Sequence, residues 1–177
     1  MRKVVFYIAA SLDGYIASPD GSVDWLPAPP AGEDYGYAEL LATVDATLLG
    51  RTSYEQVLTF GEWPYPTLTN YVFTRNPPTE AAHPSVAFVT EEPAEFVGRL
   101  RQEAGKTIWL IGGSTLAAPL IAAGLVDELM LFVVPQLLGA GIPLWRQQTH
   151  SQPLRLLRSH TWPDRMTLLH YSLNGLT

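Results

Sequence analysis

Apolar positions in this chain come in short runs separated by polar or glycine-rich stretches. Val4–Ala10 is continuously apolar rather than alternating, the pattern of a strand covered on both faces. Ala46–Leu49, Asn70–Thr74, Val86–Val89, Thr107–Ile111 and Val126–Val134 read as further strands. Between them the period changes. Tyr37, Leu40, Leu41 and Val44 recur at helical spacing, so a helix is expected over Asp34–Val44 with Asp34 as its N-cap. Thr52-x-x-Glu55 has capping-box spacing and marks a short helix just after Gly50. Pro93–Ala104 and Leu116–Ala123 are the remaining helices, and Pro119, one turn inside the last, predicts a late start or a bend. Leu154–Thr161 and Met166–Leu173 flank the turn Trp162-Pro163-Asp164-Arg165, a closing hairpin. Ser11–Gly32 is a Gly/Pro/Asp-rich loop of the length that functional lids have. The alternation predicts a single three-layer α/β domain with a mostly parallel central sheet and a C-terminal antiparallel hairpin.

Composition narrows the partners. With 177 residues and 47% hydrophobic content, the chain holds one well-buried domain. Only 16% of residues are charged and the formal net charge is −6, which argues against nucleic acid as a partner. Cysteine is absent, excluding disulfides and thiolate chemistry. Met1–Ala10 has the look of a signal h-region but is too short, and Asp13-Gly14 follows, so a buried first strand is expected instead. No apolar run reaches membrane-spanning length, and the expectation is a cytoplasmic protein without a membrane partner. His83, His150, His160 and His170 show no ligand pairing at i, i+4, so no metal is expected.

Three strand ends carry glycine, hydroxyl or arginine residues: Gly50-Arg51-Thr52-Ser53, Thr74-Arg75 and Ile111-Gly112-Gly113-Ser114-Thr115. Ligands of open parallel sheets bind beyond the carboxyl ends of the strands. Paired glycines where a buried strand meets a helix let a ligand approach the backbone, and the helix start offers free N–H groups to an anion. Arginine suits phosphate because its planar fork donates two parallel hydrogen bonds. Each residue also has an ordinary structural use, as cap, turn or solvated charge; together they favour a phosphate-rich cofactor. Gly139-Ala140-Gly141 lacks the third glycine of a dinucleotide fingerprint, and no Walker loop or nucleophile elbow is present.

In that order and spacing, Gly50–Glu55, Phe73-Thr74-Arg75 and Ile111-Gly112-Gly113 resemble the dihydrofolate reductase superfamily. Ser11–Ala17, Gly124–Leu129 and Pro135–Gly139 are similar to segments of its branch containing the reductase domain of riboflavin biosynthesis. The resemblance spans essentially the whole chain. It implies a dihydrofolate-reductase-like fold, NADPH as cofactor and hydride transfer as chemistry. By position it puts Arg51, Thr74 and Arg75 against the 2′-phosphate, and Gly50, Thr52 and Ser53 on one side of the pyrophosphate. Ile111, Gly112, Gly113, Ser114 and Thr115 fall on the other side, and Ala9 and Ala10 beside the nicotinamide. It also implies a cis Gly112–Gly113 peptide and a homodimer, for which Leu129–Val134 and Pro135–Leu144 are the expected pairing surface.

On the substrate side, Asp34 falls where the folate enzymes keep a proton-donating carboxylate. Buried there, it would have a raised pKa; its other reading is the helix N-cap. Trp25 is expected as the aromatic of a lid loop or as an apolar anchor. Asp13 is expected to orient substrate hydroxyls or simply to make its turn. The leading reading is an NADPH-dependent reductase of a small planar pterin-like, imine or carbonyl compound. The alternatives are a reductase of a phosphoribosylaminouracil, a non-catalytic NADP-binding protein and a structural interaction domain.

Overall fold

The computed structural model describes residues 1–146 and 151–174; His150 lies outside them. In chain order the elements are β1 (Val4–Ser11), β2 (Tyr15–Ala17), α1 (Tyr37–Thr43), β3 (Val44–Gly50), α2 (Arg51–Leu58), β4 (Thr69–Phe73), β5 (Val86–Val89), α3 (Pro93–Leu100), β6 (Thr107–Gly112), α4 (Ser114–Ala122), β7 (Glu128–Val134), β8 (Ile142–Pro143), β9 (Arg155–Thr161) and β10 (Thr167–Ser172). Eight strands form one sheet in the order β5-β4-β3-β6-β1-β7-β10-β9. The first six are parallel; β10 runs antiparallel to both β7 and β9, closing the sheet with the expected hairpin.

Helices cover both faces. Phe6, Leu48, Ile108 and Leu110 point to the side of α3 and α4, where Val97, Leu100, Leu116 and Leu120 meet them. Leu49, Val72 and Trp109 point the other way, toward Leu40 of α1 and Tyr54 and Val57 of α2. Fully burying one such leucine contributes about 2 kcal/mol, so this two-sided core dominates stability. At the amino-terminal edge of the sheet, away from the glycines, Arg101 and Asp127 form a buried ion pair, and the Asp127 carboxylate also accepts from the Val4 N–H.

The structure moves several expected boundaries. α1 starts at Tyr37 rather than Asp34, because Tyr35 and Gly36 adopt left-handed φ of 55° and 80° and the helix cannot begin before them. α3 stops at Leu100, after which Arg101 turns its side chain inward to Asp127. α2 begins directly after Gly50, so Thr52 lies inside its first turn and forms no capping box; Glu55 pairs with Arg51 instead. α4 starts early, at Ser114, and accommodates Pro119 within the helix. The loop after β1 contains β2, which pairs with β8. Finally, β7 lies between β1 and β10 and has no free edge for a second copy. Of the sheet's two outer strands, β5 and β9, β9 is exposed along its whole length.

Candidate functional site

Parallel pairing brings the carboxyl ends of β4, β3, β6 and β1 to one edge, with Gly50 in register with Phe73, and Leu49 with Gly112. All three predicted strand ends therefore meet there. Gly50 touches the next strand's turn: a Cβ on it would sit 3.7 Å from the Gly112 carbonyl oxygen and 3.8 Å from the Gly113 nitrogen. On Gly113 it would sit 3.7 Å from Ser53 Oγ and 3.8 Å from Ile16 Cδ1. Gly112 has φ +119°, a conformation that side chains rarely adopt, and the Gly112–Gly113 peptide is cis, as the resemblance implied.

Two helices open at this point. α2 and α4 have Gly50 and Gly113 as N-caps, and neither receives a side-chain capping bond. Glycine supplies no oxygen to the first-turn N–H groups, so both helix starts keep donors and a positive dipole end turned toward the same edge. Thr115 is exposed in the first turn of α4, whereas Ser114 is buried. The Arg146 guanidinium donates to Thr115 Oγ1 at 2.7 Å, which adds a cation to this helix start. Sequence reasoning missed Arg146: it lies 31 residues from Thr115 in an irregular segment, and only tertiary folding brings them together.

Arg51 Nη1 donates to the Asn76 carbonyl at 2.8 Å, and Nε to Glu55 at 2.7 Å, so its guanidinium stands over the loop after β4. In that loop Thr74 Oγ1 accepts from the Asn76 N–H, and Arg75 is exposed. Thr52 is exposed and Ser53 half-buried. Ala9 and Ala10 face opposite sides of the sheet, as neighbours in a strand must. Ala9, like Tyr7 and Trp25, packs against the cluster of Tyr35, Phe132 and Trp162, while Ala10 enters the core on the α3–α4 side, leaving only its backbone for a ligand.

The loop after β1 crosses this edge. Ile16 approaches Gly113, Gln56 of α2 donates to the Gly21 carbonyl at 2.7 Å, and Trp25 packs in the cluster of Tyr7 and Ala9. The loop that was expected as a lid thus lies over the glycines and the end of β1. Asp13 anchors it. One carboxylate oxygen accepts from the Gly139 N–H at 2.7 Å, the other from the Leu138 N–H at 3.1 Å and from Ser11 Oγ at 2.6 Å. The Ser11 bond, with those backbone bonds, holds the Asp13 pKa below its ordinary value. Its oxygens staple two loops, the turn-making alternative expected of this residue.

Asp34 takes its capping alternative. It is exposed, and its carboxylate accepts from the Ala38 N–H at 2.8 Å and the Gly36 N–H at 2.9 Å. Those bonds lower its pKa, the Ala38 bond most. The capping reading describes Asp34; the raised pKa expected of a buried proton donor is absent.

The RibD C-terminal domain model matches residues 2–168. The chain belongs to the RibD C-terminal domain family. Within reach of this RibD-type domain is YwjB of Bacillus subtilis, 43% identical over 172 residues, with 96% of this chain and 97% of YwjB covered. Among solved structures, a putative riboflavin biosynthesis protein from Shewanella sp. PV-4 superposes with TM-score 0.86 at 28% identity, covering 97% of this chain and 98% of that one. Dihydrofolate reductase from Enterococcus faecalis, complexed with NADP(H), superposes with TM-score 0.68 at 20% identity over 98% of this chain and 97% of that one. The RibD-type domain described here thus has the dihydrofolate-reductase-like fold.

Proposed function

We propose that this protein is an NADPH-dependent reductase of a small planar substrate, pterin-like or another imine or carbonyl compound. One observation carries the reading: two uncapped helix starts converge on Gly50 and Gly112–Gly113, ringed by arginines. A diphosphate needs backbone donors, close backbone approach and a few local cations. The N–H groups opening α2 and α4, with Ser53, Thr115 and Arg146, would hold the pyrophosphate. Arg51, Thr74 and Arg75 would take the 2′-phosphate. NADPH, when bound, supplies the hydride. The chain's own contribution is to fix the reacting ring beside Ala9, to keep water out under the loop carrying Trp25, and to spend remote phosphate contacts on that positioning.

Titration with NADPH and NADH, following nicotinamide fluorescence, tests this. Tighter binding of NADPH than of NADH supports it; equal, weak affinity for both sinks the 2′-phosphate assignment. Membership of the RibD C-terminal domain family favours a second reading, reduction of a phosphoribosylaminouracil. Single-turnover oxidation of bound NADPH on adding that compound, dihydrofolate or small carbonyl compounds separates the two, and no turnover with any would leave a cofactor-binding protein. For assembly we propose that two copies pair along the open β9 edge, where Leu156 and Leu157 are exposed. A monomer in light scattering at micromolar concentration would exclude it.

A further inference from the structure

We infer that the Tyr7 hydroxyl, with the Trp25 indole N–H, is the donor set that binds a ring-carbonyl oxygen of the substrate; this rests on the reductase reading above. Tyr7 and Ala9 are two residues apart on β1 and so face the same side of the sheet, about 7 Å apart along the strand. On that side Tyr7, Ala9 and Trp25 all pack against the same buried cluster, which includes Tyr35, Phe132 and Trp162. The Tyr7 ring is fixed from two directions, edge-on to Trp109 at 5.9 Å and tilted against Phe132 at 4.5 Å. Among the described residues its hydroxyl has a single hydrogen-bond partner, the Tyr35 carbonyl at 3.5 Å, the outer limit of a hydrogen bond. The Trp25 Nε1 is buried and has no acceptor among the described residues. Buried donors in native proteins are nearly always satisfied, so the unpaired Trp25 N–H, with a half-buried Tyr7 hydroxyl at the limit of its bond and both side chains packed against the same cluster as Ala9, points to an acceptor that arrives with a ligand.

The acidic groups around them are already used. Asp34 caps the start of α1, Glu33 accepts from Trp162 Nε1 at 3.1 Å, and Asp164 accepts from the Tyr35 hydroxyl and the Met166 N–H. A cationic diaminopyrimidine would have to share any of these three carboxylates with the protein donors already on it, whereas a neutral ring carrying a carbonyl finds two donors. Burial, reinforced by the nearby Asp34 charge, pushes the Tyr7 pKa up, so the phenol keeps its proton at neutral pH. Tyr37 and Tyr65, whose hydroxyls reach each other and whose rings also stand edge-on to Trp109, extend this neutral phenolic surface away from Ala9.

The test uses the full chain saturated with NADPH and titrated with isatin and menadione, two planar ring carbonyl compounds, following tryptophan fluorescence. Saturable binding of at least one is expected, weakened about tenfold by Tyr7→Phe, the loss of one good hydrogen bond, with NADPH affinity unchanged. Trp25→Phe is expected to weaken the same compound, and it carries the comparison if Tyr7→Phe fails to fold. Methotrexate, a diaminopteridine, is expected not to bind. The inference is overturned if neither carbonyl compound binds, if both variants bind like wild type, or if methotrexate binds more tightly than either. Failure of the wild type to bind NADPH would sink the reductase reading instead, and is scored separately.

Discussion

The Arg101 guanidinium donates to both carboxylate oxygens of Asp127, at 2.8 and 3.0 Å, with the two side chains only 7% and 11% exposed. The pair ties the turn after α3 to the segment entering β7, and Asn174 and the Val4 N–H also bond to the same carboxylate. Removing one partner leaves a buried charge without its counter-ion. Arg101→Met or Asp127→Leu alone is therefore expected to cost about 3–5 kcal/mol, read by urea unfolding. The double variant is expected to recover most of that loss. A single variant within 1 kcal/mol of wild type (roughly the value of a surface pair) would show the ion pair to be unimportant.

Glycine at 112 is set by its backbone. With φ +119°, Gly112→Ala is expected to destabilise by about 1–3 kcal/mol and to displace the turn on which Gly50 rests. Thermal unfolding and NADPH titration should therefore both shift. Unchanged NADPH affinity in a folded Gly112→Ala protein would separate this turn from the cofactor.

On the proposed reading the three arginines would divide by the phosphate they face. Arg51→Ala and Arg75→Ala are each expected to weaken NADPH about tenfold while leaving NADH nearly unchanged, because only NADPH carries the 2′-phosphate. Arg146→Ala, beside the start of α4, is expected to weaken both cofactors alike. The ratio of the two dissociation constants checks the division; a selective loss of NADPH in Arg146→Ala would reassign that residue.

Glu128 gives a sign for the acid limb of stability. Burial opposes its charge, but hydrogen bonds from Lys3 at 2.7 Å and His170 at 2.9 Å outweigh burial, so its pKa falls below the ordinary 4.5. A carboxylate depressed in the folded state stabilises fully above its unfolded pKa and ceases to do so as pH falls through the folded one. Stability is thus expected to drop below about pH 4.5, and Glu128→Gln to flatten that drop in unfolding curves measured from neutral to acid pH. An identical pH slope in the variant would contradict the assignment.

The fold was legible because parallel strands buried on both faces write themselves as continuous apolar runs: Val86–Val89 is observed with the same bounds, and β1 with one residue more. Gly50, Thr74 and Gly112–Gly113 were legible because each immediately follows such a run. Elsewhere local signals competed with tertiary ones. The capping spacing of Thr52 and Glu55 lost to a strand that passes straight into its helix, and Asp34 was drawn into the backbone turn made by Tyr35 and Gly36. Asp13 and Arg146 find their partners 126 and 31 residues away, which no local window contains. Tyr7 was hidden for another reason: inside an apolar strand a tyrosine reads as core, and only the poor contact of its hydroxyl sets it apart.

Gly50 ends β3 and α2 begins at the next residue; Gly113 alone separates β6 from α4. Neither joint has slack, so one inserted residue at either would rotate a helix start away from its neighbour and dismantle the edge they share. The stretches after β1 and after β7 lie outside the main sheet's register, being held to each other by the short β2–β8 pairing and by side-chain staples such as Asp13. Divergence within this architecture should therefore accumulate as changes of length in those two stretches, which on the proposed reading would change the reducible compound and spare the grip on the nucleotide.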